Sequence, residues 1–362
     1  MPVTLRVVLD QPAPPAGPLA EAARELARAL VRSAPSGCEV AAIVPAGGAE
    51  VDDVPGLAEV VKAPLARREL VAAWQLGVAT GIGGGLIHSP TLAAPLVRHD
   101  RVHDHDQTVV TMWDLTPWEA PETLSRTSLL WHKGLLKRIV RHADAVVVPT
   151  HAHAATLREL TSLGERVRVI AGAAPDGFAA PGDEVGRRRA LGAPEGAVVI
   201  SAEAGAGLDL AFAAFARAGE GRVLEVLDAP DDAEAGLRER ATAAGADPQH
   251  VHVRGSLEAG DRAAVLASAA AVLVPSPRTD YPWLALDALA LGVPVVAADS
   301  EVHREVLLDG GVLVAPDAEG LAAGLVQAWA DSARLAVLAA DRGRAFSWDG
   351  AAERVWHLHA EL

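Results

Sequence analysis

Thr279, Asp280 and Tyr281 stand just before a helical pattern that opens at Trp283 and carries Asp287. A carboxylate such as Asp287 can accept hydrogen bonds from two hydroxyls of one ligand. The backbone N–H groups at the start of that helix favour an anion. The competing reading of Asp287 is a solvated helix residue. Upstream, Glu203-Ala204-Gly205-Ala206-Gly207 separates a strand pattern from a helix pattern. Gly205 and Gly207 would let backbone N–H groups approach a phosphate, or they simply make a tight strand-to-helix turn. Trp113 and Asp114 close another apolar run. An indole can stack on a sugar face but cannot exchange a proton, and Asp114 can contact a substrate or cap a turn. His88, also at a strand end, is either an acid–base group or a hydrogen-bonded structural histidine. The run His103-Asp104-His105-Asp106 has the residue types of a metal site. Alternate residues of a polar hairpin point to opposite faces, so no metal is expected there.

These residues need a scaffold, and the chain reads as alternating strands and helices throughout. Glu39 to Val44, Val109 to Met112, Val146 to Val148, Val198 to Ser201, Val223 to Leu227 and Ala271 to Val274 are short apolar runs, the pattern of parallel strands buried on both faces. Helical patterns such as Leu19 to Val31, Ala233 to Ala244 and Gly320 to Trp329 lie between them, which predicts a doubly wound α/β fold. A length of 362 residues exceeds one ordinary core. The Gly-, Pro- and Ala-rich stretch after Ile170 has no apolar period and is the expected boundary. The expected division is a first domain over 1–175, a linker over 176–186, a second domain over 187–345, and a final helix over 346–362.

The order of motifs gives a family likeness. Leu286-Asp287-Ala288-Leu289-Ala290-Leu291-Gly292-Val293-Pro294-Val295-Val296 is similar to the L-E-A-M-A-x-G-x-P-V-V segment of GT-B glycosyltransferases of the large retaining family 4. Asp287 stands for that family's second glutamate, and the first falls on Thr279. Ile87-His88-Ser89-Pro90, Val109 to Leu115, Asp144 to Thr150, Val302 to Pro316 and Phe346-Ser347-Trp348 resemble further family segments, over nearly the whole chain. The resemblance implies a GT-B fold: two Rossmann-like domains facing across a cleft, the first on the acceptor side and the second binding a nucleotide sugar. It also implies that the last helix returns to the first domain. The implied catalytic positions are Trp113, Asp114, Thr279 and Asp280, and the implied donor-binding positions are Glu203, Gly205, Gly207, Tyr281 and Asp287. Several family side chains are replaced. Trp113 stands for a histidine, while Glu203 and Ala206 stand where an arginine and a lysine would meet the diphosphate. The only lysines are Lys62, Lys133 and Lys137, so the substitutes in the second half are Arg254, Arg262 and Arg278.

Two readings of function stay open. One is transfer of a hexose, mannose or glucose, from a nucleotide-sugar donor to a glycan or glycolipid acceptor with retention, using no metal or bound cofactor. The other is a catalytically silent homologue that serves as a binding or scaffolding subunit, in a homo- or hetero-oligomer with an active relative. A nucleotide-sugar epimerase lacks matching motifs. A net charge of −15 argues against a nucleic-acid partner. The lone Cys38 excludes an internal disulfide. No apolar run reaches the ~20 residues of a membrane span, and MPVTLRVVLDQP reads as a strand and not a signal peptide, so a cytoplasmic location is expected. The helix pattern Leu129 to His142 carries Lys133, Lys137, Arg138 and Arg141 with no acidic residue between Thr123 and Ala143. It is either a solvated face or, as in similar enzymes that glycosylate lipids, a peripheral contact with the anionic inner face of the cell membrane.

Overall fold

The computed structural model describes residues 2–11, 17–48, 51–78, 80–82, 84–100, 103, 105–219, 221–276, 278 and 280–362. Thr279 and Asp104 therefore lie outside the described residues. The chain divides into two compact units: Met1–Gly172 with Thr279–Tyr281 and Ser347–Leu362, and Ala173–Arg278 with Pro282–Phe346.

Among the described residues, the first unit holds seven parallel strands: β1 (Val3–Val8), β2 (Cys38–Val44), β3 (Glu59–Lys62), β4 (Leu86–Ser89), β5 (Gln107–Thr111), β6 (Ala145–Val148) and β7 (Val167–Val169). Their order is β3-β2-β1-β4-β5-β6-β7. The second unit holds β8 (Val198–Ser201), β9 (Leu224–Leu227), β10 (Val251–Val253), β11 (Ala271–Val274), β12 (Val295–Ala298) and β13 (Gly311–Val314), in the order β10-β9-β8-β11-β12-β13. Both sheets reverse their direction of winding, between β1 and β4 and between β8 and β11. Open α/β sheets bind ligands outside the carboxyl ends of the strands at such a reversal.

The apolar runs become central strands because helices cover both faces. In the second unit Val198, Ile200, Leu224, Val226 and Leu273 meet Phe212, Phe215, Leu321 and Leu325 in one core. The helix Trp283–Leu291 buries Leu284, Leu286, Asp287 and Leu289 and stops at Gly292, whose φ of 68° is the left-handed cap that lacks a penalty only for glycine. Gly207 meets a tighter constraint, since an added Cβ would lie 2.9 Å from Ser276 N. Only a glycine lets the loop after β8 pack against the loop after β11.

Of the segment 176–186 read as a linker, the last part is helical, because Glu184 opens the helix Glu184–Leu191. No apolar face announces it. It is held by charges, Arg188 to Glu184 at 3.1 Å and Arg187 to Asp261 at 2.8 Å. The final helix, Trp348–Glu361, belongs to the first unit and opens one residue after Phe346's neighbour Ser347, whose Oγ accepts the Gly350 N–H at 3.0 Å. Trp356 Nε1 donates to the Leu30 carbonyl at 3.2 Å, and Arg32 pairs with Asp349 at 2.6 Å.

Candidate functional site

In the second unit, charged residues from four elements converge at the carboxyl end of β8 and β9. Asp228, directly after β9, adopts a φ of 60°. Its Oδ2 accepts the Ser201 hydroxyl at 3.0 Å and its Oδ1 accepts Arg262 Nη1 at 2.7 Å. Arg262 comes from the helix Ala259–Ala267, and its Nε donates at 2.8 Å to Oδ2 of Asp287 on the neighbouring helix. Burial works against the Arg262 charge, but Asp287 and Asp228 outweigh it and hold the guanidinium more firmly protonated than usual. Glu203 follows Ser201, and its N–H donates to the Ser201 hydroxyl at 3.2 Å. The Glu203 carboxyl is pushed up to about 7 by desolvation first and by the Asp228 carboxylate second, with Arg262 opposing. Its side chain still reaches water, so screening limits the free energy attached to that shift.

The sign of the pH effect follows. A raised carboxyl binds more protons folded than unfolded between its ordinary 4.5 and about 7, so this group's contribution to stability falls as pH rises through that window. Glu203→Gln is therefore expected to gain stability relative to the unmutated protein between pH ~5 and ~8. Denaturant midpoints at the two pH values check this; parallel profiles would remove Glu203 from the pair with Asp228.

The other donor-side expectations fare differently. Gly205 and Gly207 lie in a 3₁₀ turn, Ala202–Gly207, which makes the tight-turn reading concrete. Asp287 is 7% exposed and bound to Arg262, so it is no solvated helix residue. Of the substitute cations, Arg254 is committed to Glu225, through Nε at 2.5 Å and Nη2 at 3.0 Å, and to the Leu191 carbonyl at 2.8 Å. Arg262 is the one the fold brings to Asp287. Its pairing with Asp228 was not legible, because the partners lie far apart in the chain.

In the first unit, Trp113 is 5% exposed. Its Nε1 donates to the Pro90 carbonyl at 2.9 Å, and its ring lies 5.7 Å from Tyr281 and 6.2 Å from Trp348. The sugar-stacking face expected of it is occupied by protein. Tyr281 groups with this unit and donates its hydroxyl proton to the Gly172 carbonyl at 2.9 Å, which leaves the oxygen only as an acceptor. Asp114 Oδ1 accepts the Thr116 N–H at 2.7 Å as a cap, and the backbones of Asp114 and Asp280 form an antiparallel bridge. Burial raises the Asp114 carboxyl. His88 is fully buried against His359, with Nε2 3.2 Å from the Thr111 hydroxyl, and burial holds it well below the ordinary imidazole value. It is a structural histidine.

Sequence reading missed Asp10. This buried carboxylate follows β1 at the β1/β4 reversal, accepts the Thr91 hydroxyl at 2.9 Å and Arg67 Nε at 3.1 Å, and is raised by burial. A single aspartate ending an apolar strand was the available signal. His103 pairs with Asp100 at 2.8 Å, and Asp106 accepts the Gly85 N–H. Of the four basic residues assigned to a membrane contact, Arg138 turns inward: it donates to the Leu96 carbonyl and packs over Gly77. Lys133, Lys137 and Arg141 stay exposed on the helix Arg126–His142, beside Leu130 at 62% exposure.

Comparison with known proteins adds a family pattern and a fold. Residues 202–331 match the family model described as glycosyl transferases group 1. No curated protein matches the sequence. HepE from Anabaena, solved with UDP and glucose, superposes with a TM-score of 0.73 at 16% identity over 100% of both chains. Sucrose-phosphate synthase from Thermosynechococcus elongatus gives 0.71 at 19% identity over 99% of this chain and 98% of that one. WaaG, a glycosyltransferase involved in lipopolysaccharide biosynthesis, gives 0.71 at 15% identity over 97% and 98%. Among the described residues no helix is long and apolar enough to cross a membrane. The chain has the GT-B fold of two Rossmann-like domains, and its residues 202–331 carry the sequence pattern of the group 1 glycosyl transferases.

Proposed function

We propose that this chain moves a hexosyl group from a nucleotide-sugar donor to a glycan or glycolipid acceptor, with retention at the anomeric carbon. One observation carries the reading: the segment 202–331 that matches group 1 glycosyl transferases is the segment that gathers Glu203, Asp228, Arg262 and Asp287 at the carboxyl end of its sheet. In this reading Asp287 accepts hydrogen bonds from the ribose hydroxyls, and no metal or bound cofactor takes part. Calorimetric titration with UDP-glucose, GDP-mannose and ADP-glucose tests it. Binding of one of the three is expected with a Kd between ~1 μM and ~1 mM, followed by release of the nucleoside diphosphate once acceptor is added. Binding of none would sink the reading.

A second reading is the catalytically silent homologue: Glu203 and Asp228 put two carboxyl groups close together at the strand ends where the proposed diphosphate would call for cations. Donor binding without turnover over every acceptor tried would select it.

Lys133, Lys137 and Arg141, with exposed Leu130, form the surface we assign to an anionic membrane. Each cation near such a surface contributes about 1 kcal/mol. Cosedimentation with phosphatidylserine-containing vesicles is expected and should be lost on replacing the three cations by glutamate. Equal partition onto purely zwitterionic vesicles would rule the contact out.

A further inference from the structure

We infer that Arg262 is the diphosphate-binding cation of this chain, taking over from the positions now held by Glu203 and Ala206; the inference rests on the donor-binding reading above. The guanidinium is fixed on two edges, Nε on Asp287 at 2.8 Å and Nη1 on Asp228 at 2.7 Å. Among the described residues nothing accepts from Nη2, and the side chain is 18% exposed. A planar donor held by two carboxylates has little rotamer freedom left to lose when it meets a phosphate oxygen. It also sits at the carboxyl ends of the strands, since its partner Asp228 directly follows β9 and bonds Ser201 at the end of β8, and its other partner is the carboxylate proposed to hold the ribose. Of the alternatives, Arg254 is locked on Glu225 and no lysine follows Lys137, which leaves Arg278 as the other candidate of the three.

The arrangement sets a specific charge balance. Asp228 orients Arg262 and at the same time competes with the phosphate for it. Asp228→Asn keeps an oxygen acceptor for Nη1 while removing that competition.

The experiment is calorimetry with UDP, GDP and ADP, each beside its nucleoside, on the unmutated protein, Asp228→Asn, Arg262→Lys and the double variant Arg262→Gln with Asp228→Asn. The double variant leaves the net charge unchanged, so it reads the lost contact and not the field. For the base that the protein binds, the double variant is expected to lose at least tenfold in diphosphate affinity with nucleoside affinity within twofold. Arg262→Lys should lose less, and Asp228→Asn should tighten the diphosphate severalfold. Equal weakening of nucleoside and diphosphate would make Arg262 a positioning residue for Asp287 and overturn the inference. So would a double variant that binds the diphosphate as before. No binding of any ligand by the unmutated protein would remove the donor-binding reading itself, and this assignment with it. Circular dichroism confirms that each variant is folded.

Discussion

Glu225→Ala is expected to destabilise the second unit by about 3 to 5 kcal/mol, the cost of breaking a buried ion pair from one side. Glu225 lies in β9, between β8 and β10, and is fully buried. Its carboxylate accepts Arg254 Nε at 2.5 Å, Arg254 Nη2 at 3.0 Å and His252 Nδ1 at 2.9 Å. Truncation leaves the Arg254 guanidinium, 16% exposed, with only the Leu191 carbonyl as a remaining acceptor among the described residues. The penalty is the uncompensated charge, not the net worth of the pair. Replacing both partners with leucine should therefore recover most of the loss. Hydrogen exchange of the β8 to β10 amides in denaturant reads the effect on this unit alone. A loss below about 1 kcal/mol would show that water reaches Arg254 once Glu225 is gone.

The second large effect concerns donor binding. Asp287→Ala should weaken the bound nucleotide by about 1.5 to 3 kcal/mol, the range for a hydrogen bond to a charged group, or about 10- to 150-fold in Kd. The fold adds a second consequence, since Arg262 loses its Nε acceptor and keeps only Asp228. Asp287→Asn retains an oxygen for that bond and should recover part of the affinity. Calorimetry with the preferred nucleotide is the measurement. Unchanged affinity in a protein that binds nucleotide would remove Asp287 from the site.

The scaffold was largely legible in the sequence, and particular residues show why. Val198 to Ser201 and Ala271 to Val274 occupy the same residues in the structure as in the pattern, and the next helix opens at Trp283 as its pattern does. A parallel strand buried on both faces must be apolar along its length, and a helix ended by Gly-x-Pro can stop only there. Those are local constraints, written in neighbouring residues. The charged helix Glu184–Leu191 escaped notice for the converse reason: it is held by ion pairs, one of them with a residue of another helix, and has no apolar period to display.

What the sequence by itself determined was the alternating α/β order and the strand ends where it is broken by polar residues. Tertiary structure alone decided which charged and aromatic groups meet. Trp113 reads as an indole able to stack on a sugar until Trp348 and Tyr281 pack beside it. Arg138 reads like its neighbour Lys137 until the Leu96 carbonyl takes its proton donors inward. Arg262 is one arginine among many until the winding of β8, β9 and two helices brings Asp228 and Asp287 to its edges. The physical reason is that burial imprints a period on adjacent residues, whereas a hydrogen bond needs partners within about 3 Å, and distant segments reach that separation only after the core has placed them.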